Sequence, residues 1–175
     1  MLVQRFRALA FALGSIAATT IASTALAEES SIGLMGFGPT VGFSTSPDQI
    51  LLGGFADLGV ITPPIGLKLA ADIGFGDNFT VITAGPSVVG EMPLGNGYGF
   101  AGLYLGFGHF RYSIDEDFFG VDLSFNETKL IAAIDAGYQM YMENGNGLLL
   151  DLKIGVSDWH PDLKAGVGYI LGGGN

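Results

Sequence analysis

From Lys129 to Met142 the chain alternates with a period of two. The even positions, Leu130, Ala132, Ile134, Ala136, Tyr138, Met140 and Met142, form an apolar series, while the odd ones, Lys129, Ile131, Ala133, Asp135, Gly137, Gln139 and Tyr141, mix charge, amide and small side chains. Successive side chains of a strand point to opposite faces, so this pattern predicts a strand with one apolar face. Leu148, Leu150, Leu152, Ile154 and Val156 repeat it against Gly147, Leu149, Asp151, Lys153, Gly155 and Ser157. So do Leu163, Ala165, Val167, Tyr169 and Leu171 against Asp162, Lys164, Gly166, Gly168 and Ile170. Upstream, Ile65 to Phe75 alternates with Gly66, Lys68, Ala70, Asp72, Gly74 and Gly76. Adding less regular segments predicts strands over 32–43, 50–61, 65–76, 79–91, 97–112, 128–142, 147–157 and 162–171.

The second face of these strands decides the architecture. A soluble sandwich turns a well-charged face to water, whereas here that face holds mostly glycine, alanine and a few charges of both signs. Such a face suits the filled interior of a narrow barrel of about eight strands. The apolar face then meets lipid. Most spans fall near the roughly 9 to 11 residues that a tilted strand needs to cross a bilayer, and their number is even, as in bacterial single-chain barrels. Gly38-Pro39 and Gly85-Pro86 predict bulges, because proline cannot donate to a ladder.

Residues 1–27 read as an address. Arg5 and Arg7 precede an uncharged alanine-rich core, and Ala25-Leu26-Ala27 offers an A-x-A cleavage site. The expected mature domain is 28–175, and a bacterial envelope is its expected destination. Removing the leader leaves Lys68, Arg111, Lys129, Lys153 and Lys164 against all 17 acids, a formal charge of −12. That balance speaks against nucleic-acid binding, which needs a basic face. The 29 glycines carry no collagen period, and 14% charge with a mean hydropathy of +0.46 excludes disorder. The absence of cysteine excludes disulfides, thiolate metal sites and an N-terminal lipid anchor.

Connections sort to two ends. Thr62-Pro63-Pro64, Pro93 to Gly97 and Glu143 to Gly147 read as tight inner turns, the last two with the Asn-Gly chemistry of hairpins. Ser44 to Gln49, Gly76 to Asn78, Ser113 to Thr128 and Ser157 to Pro161 read as outer loops. Aromatic girdles are expected at both membrane interfaces. Tyr98, Phe100, Tyr138 and Tyr169 lie toward the inner rim, and Phe43, Phe75, Phe79, Phe110, Tyr112 and Trp159 toward the outer.

With these strands, the leader and the closing run Leu163-Lys-Ala-Gly-Val-Gly-Tyr169, the chain resembles the small outer-membrane β-barrel family of the OmpA-domain, OmpX and opacity-protein type. The resemblance spans about 30–171. It implies an all-β, eight-stranded, up-and-down transmembrane barrel among outer-membrane lipids and lipopolysaccharide, inserted by the outer-membrane assembly machinery, with no cofactor. It departs in one respect: the chain runs past Tyr169 to Ile170-Leu-Gly-Gly-Gly-Asn175 instead of ending on an aromatic residue.

Candidate chemistry is sparse. Asp115, Glu116, Asp117, Asp122 and Glu127 crowd the long outer connection, but Phe119 and Gly120 break any EF-hand spacing, so a solvated acidic loop is expected and no metal. Phe119, Val121, Leu123 and Phe125 alternate within it. This predicts a protruding hairpin whose strand edge can take a protein partner, and makes 113–128 the candidate interaction surface. Asp57, Lys68, Asp72, Lys129, Asp135, Asp151, Lys153, Asp162 and Lys164 are expected to pair inside the lumen. The expectation is thus a non-catalytic structural or surface-interaction protein. Two alternatives stand beside it. One is an outer-membrane lipid hydrolase using His109 or His160 with Ser113 or Ser157. The other is a periplasmic lipocalin-like barrel, which would invert the sidedness and line its cavity with the Leu rows.

Overall fold

The computed structural model describes residues 31–76, 79–116, 121–158 and 160–172, with the backbone alone for 113–116 and 121–124. The leader assigned to 1–27 lies outside these residues. Eight strands follow in order: β1 (Ser31–Thr45), β2 (Gln49–Thr62), β3 (Ile65–Gly76), β4 (Phe79–Leu94), β5 (Gly97–Glu116), β6 (Val121–Tyr141), β7 (Gly147–Gly155) and β8 (Leu163–Ile170). Each pairs antiparallel with its sequence neighbours, and β8 pairs with β1 to close the barrel.

Sidedness follows the alternation. Leu103, Leu105, Phe107, Leu130 and Leu150 are each more than half exposed on the outside, while Ile131, Ala133, Asp135, Gln139, Leu149 and Lys153 on intervening positions are buried. An exterior of contiguous Leu, Ile and Phe rows is a lipid-facing surface, since a soluble protein rarely exposes large apolar patches. The lipocalin-like alternative required the reverse. Its proposed solvent residues, among them Lys68, Asp135, Lys153 and Lys164, are buried inside the barrel, while the Leu rows face out.

The irregular features differ from expectation in two respects. Across Gly38-Pro39 the β1–β2 register is continuous, and the β4–β5 register is the same on both sides of Gly85-Pro86. The register shifts instead lie at the inner ends, between Ile32 and Gly36 of β1 and between Asp57 and Thr62 of β2. Proline therefore interrupts the ladder bonds without inserting a residue. In the girdles, Phe100 and Phe110 are buried in the lumen. Both lie on even positions of β5, the inward series; Tyr98 and Tyr112 share that parity but sit nearer the two ends of the barrel, where they are exposed.

Close strand packing explains part of the glycine content. A Cβ on Gly102 would lie 2.0 Å from the Val88 carbonyl oxygen and 2.6 Å from Val89 Cα. At the β6–β7 turn Gly145 adopts φ +77°, a left-handed conformation that suits glycine.

Inside, apolar and ionic layers alternate. Phe55, Val89, Phe100, Leu149 and Ile170 form one apolar cluster, and Val81, Tyr104, Phe110, Ile131 and Ala133 form another nearer the outer end. The charged residues lie below and between them.

Candidate functional site

Two features carry chemistry, the lumen network and the β5–β6 hairpin. At the inner end of the lumen, Lys68 Nζ lies 2.7 Å from Asp57 Oδ2, 2.8 Å from Glu91 Oε1 and 3.0 Å from Gln139 Oε1. The ammonium also lies 5.0 Å from the Phe100 ring centroid. Four strands thereby converge on one cation. Further out, Lys164 Nζ contacts Asp72 Oδ1 at 2.7 Å and Thr83 Oγ1 at 2.8 Å, and the Thr83 hydroxyl donates to Asp72 Oδ2 at 2.9 Å. In the same layer Lys153 pairs with Asp151, and its Nζ is 3.6 Å from Asp135 Oδ2, which also accepts from the Ser87 hydroxyl. Burying such charges is tolerable because each faces an opposite charge and a further hydrogen-bonding group.

The expected lumen residues separate on this map. Asp57, Lys68, Asp72, Asp135, Asp151, Lys153 and Lys164 join the two ionic layers. Lys129 stands higher, half-exposed and paired with Glu127, and Asp162 is exposed in the β7–β8 connection. Gln139, on the mixed face of its strand, joins the network as well, and so do Glu91, Thr83 and Ser87, which the alternation pattern does not single out. Thr83, Ser87 and Glu91 share the odd, inward series of β4 with Val81 and Val89, and those valines conceal the strand's polar phase.

Between the layers is a cavity of about 50 Å³, lined in part by Asp72, Ser87, Asp135, Asp151, Lys153 and Lys164. One water needs about 10–15 Å³ of such space, whereas a ligand pocket runs to several hundred. The lumen admits a few waters. A solute channel would need a clear bore that these side chains fill.

The two imidazoles have partners other than serine. His109 Nδ1 lies 2.9 Å from Thr128 Oγ1 on the exposed outer surface. His160 is buried in the β7–β8 connection, its Nδ1 2.7 Å from the Pro161 carbonyl oxygen and its ring edge-on to Tyr104. Burial pushes the His160 imidazole down to about 4, and Lys164 and Lys153 reinforce the shift. The Ser157 hydroxyl accepts from the Ala132 amide at 3.1 Å. A serine nucleophile needs a base within hydrogen-bond reach, and among the described residues neither histidine contacts a serine hydroxyl.

The hairpin extends as its alternation suggested. β5 and β6 stay in register from Gly97↔Met140 to Glu116↔Val121, carrying Asp115 opposite Asp122, Ile114 opposite Leu123 and Tyr112 opposite the exposed Phe125. Asp117 and Phe119 lie outside the described residues. The neighbouring strands stop earlier, β4 at Phe79↔Tyr112 and β7 at Ala133↔Gly155. Ala132 turns its backbone toward β7, its carbonyl accepting from Val156 and Ser157. Residues of one parity face one neighbour, so Asp122, Ser124, Asn126, Thr128 and Leu130 present their amides and carbonyls to a side where no described strand pairs with them.

No protein-family model and no curated protein matches the chain. Among solved structures, the N-terminal β-barrel domain of Pseudomonas aeruginosa OprF superposes with a TM-score of 0.55 at 16% identity, covering 78% of this chain and 96% of that one. Neisserial surface protein A follows at TM-score 0.49 and 9% identity, covering 77% and 90%. The attachment invasion locus protein Ail of Yersinia pestis gives 0.44 and 14%, again over 77% and 90%. The fold assignment rests on the first of these and on the closed barrel itself. With its lumen filled by alternating apolar and ionic layers and its lipid-facing exterior, the chain has the fold of the small eight-stranded outer-membrane β-barrels.

Proposed function

We propose that the protein is a non-catalytic resident of the bacterial outer membrane that works at the cell surface through its β5–β6 hairpin. In this reading the leader 1–27 is removed on export, and 28–175 forms the barrel. Its surroundings are outer-membrane lipid and lipopolysaccharide, and its insertion uses the outer-membrane assembly machinery. The observation that carries the surface role is the edge of β6 from Leu130 out to Asp122, whose even-numbered residues pair with no strand among the described residues. An exposed edge offers main-chain hydrogen bonds to an incoming strand, while side chains on alternate positions select it. The lumen network supports a structural interior, because its cations are engaged by carboxylates and the space among them suits water alone. The histidine contacts support the non-catalytic part.

The test is an epitope inserted after Phe119, followed in intact cells. The reading expects the protein in the outer-membrane fraction, a folded form that shifts on heating before electrophoresis, and an epitope labelled without permeabilisation. Recovery from the soluble periplasm, or labelling only after the envelope is broken, would overturn it.

A further inference from the structure

The lipid-facing side of the hairpin's base carries an arrangement that the surface role does not use. Thr80, Arg111 and Asn126 are Cα partners in one row across β4, β5 and β6, and Ile82, His109 and Thr128 form the next. On β5 the odd positions face outward, so His109 and Arg111 continue the series of Leu103, Leu105 and Phe107. Arg111, His109, Asn126 and Thr128 are all exposed. The row below these is Ala84, Phe107 and Leu130, of which the last two are more than half exposed. The exterior therefore changes from hydrocarbon to cation, amide and hydroxyl within four residues, about 13 Å.

The charge distribution singles out this patch. Lys68, Lys153 and Lys164 are ion-paired inside, and Lys129 pairs with Glu127. Arg111 has no ion-pair partner among the described residues. Asp115 on the same strand is four residues on, roughly 13 Å along the backbone. A chain of formal charge −12 after its leader thus presents a guanidinium outward at the boundary of its apolar band. Guanidinium planes bind phosphate oxygens through paired N–H donors. The Thr80 hydroxyl and the Asn126 amide add donors on either side. His109 Nδ1 and Thr128 Oγ1 lie 2.9 Å apart, and the tautomer in which the hydroxyl donates to Nδ1 puts the ring hydrogen on Nε2, a further donor.

We propose that this patch binds the phosphorylated headgroup of a glycolipid of the surrounding leaflet, whose acyl chains lie along Ile82, Phe107 and Leu130. A membrane lipid is the source because the donors open sideways onto the apolar rows, where free phosphate would leave Phe107 and Leu130 uncovered. The proposal rests on the reading above that the exterior is embedded in the outer membrane, and it adds to that reading a residue-level site and a ligand class.

The experiment folds the chain from residue 28 into phosphatidylcholine vesicles containing a minor fraction of lipid A, the phosphorylated glycolipid probe. Lipid retained by the protein after gentle extraction is counted by native mass spectrometry, and the heat-induced gel shift is recorded for every sample. Wild type is expected to retain lipid A above its share in the vesicle and to keep it in excess inorganic phosphate. Arg111→Gln should lower that enrichment about tenfold, equivalent to about 1.4 kcal/mol, while Arg111→Lys keeps part of it. His109→Gln, which leaves the guanidinium in place, should give a smaller loss. Wild type that folds but shows no preference for lipid A overturns the site alone. Undiminished enrichment in both Arg111→Gln and the Arg111→Gln/His109→Gln double variant does the same. Wild type that fails to enter the vesicles overturns the membrane reading beneath it.

Discussion

Lys164 on β8 and Asp72 on β3 meet at 2.7 Å across the lumen, although three steps around the barrel separate their strands. The contact braces opposite walls, and Thr83 of β4 closes it into a triangle. Removing one partner strands a buried charge. Lys164→Met should therefore destabilise the folded barrel by about 3–5 kcal/mol, whereas the double replacement Asp72→Leu/Lys164→Met should recover most of that loss. Urea titration in vesicles, read by the heat-shifted gel band, measures both. A single variant within about 1 kcal/mol of wild type would mean that water screens the pair.

Wall-to-wall packing makes a second prediction about glycine. Alanine at Gly102 would drive its Cβ into the Val88–Val89 backbone, and at Gly99 the nearest atom, Leu94 Cδ2, is 3.8 Å away. Gly102→Ala should cost about 1–3 kcal/mol, and Gly99→Ala should fall within about 0.5 kcal/mol of wild type. Equal urea midpoints for the two would show that the neighbouring strand yields freely.

The sequence reading succeeded where one face of a strand was consistently apolar. β3, β6, β7 and β8 follow their expected phase almost residue for residue, because lipid admits only apolar side chains on the outside. It failed where the lumen is apolar too. Val81, Val89, Phe100 and Phe110 point inward beside Thr83, Ser87 and Glu91, so hydrophobicity alone could not assign the faces of β4 and β5. The same ambiguity hides Glu91 and makes Phe100 and Phe110 resemble girdle residues. The converging partners of Lys68 were illegible for a different cause: Gln139 lies 71 positions away, and only barrel closure brings it near. Proline's position was visible, but its effect on register depended on neighbouring strands that the local pattern does not specify.

His160 predicts an acid-sensitive outer rim. In the unfolded chain an imidazole takes up its proton near pH 6.5, whereas in the barrel burial delays that step to about 4. Between these values the unfolded state holds more protons. The stabilising contribution is thus complete above about pH 6.5 and is lost as pH falls toward 4. At roughly 1.36 kcal/mol per unit, the loss approaches about 3 kcal/mol. Wild type and His160→Asn compared by urea titration at pH 7.5 and 4.5 isolate the effect, since other groups titrate in both. The wild type should lose more stability on acidification, and parallel losses would contradict the assignment.

Backbone geometry of the hairpin predicts a two-residue rhythm in amide exchange. Phe125, Glu127 and Lys129 turn their amides toward β5, and Ser124, Asn126, Thr128 and Leu130 turn theirs to the open side. Exchange followed by nuclear magnetic resonance in detergent should be slow for the first set and fast for the second. Uniform protection along β6 would mean the edge is already covered.

The most direct measurement of the central account, a barrel with hydrocarbon outside and charge inside, is a cysteine scan along β7, which the chain's lack of native cysteine permits. Single cysteines from Leu148 to Ile154, labelled with a fluorophore before folding into vesicles of brominated lipid, report contact with acyl chains through quenching. The account predicts strong quenching at Leu148, Leu150, Leu152 and Ile154 and weak quenching at Leu149, Asp151 and Lys153. The opposite parity, or no quenching at any position, would contradict it.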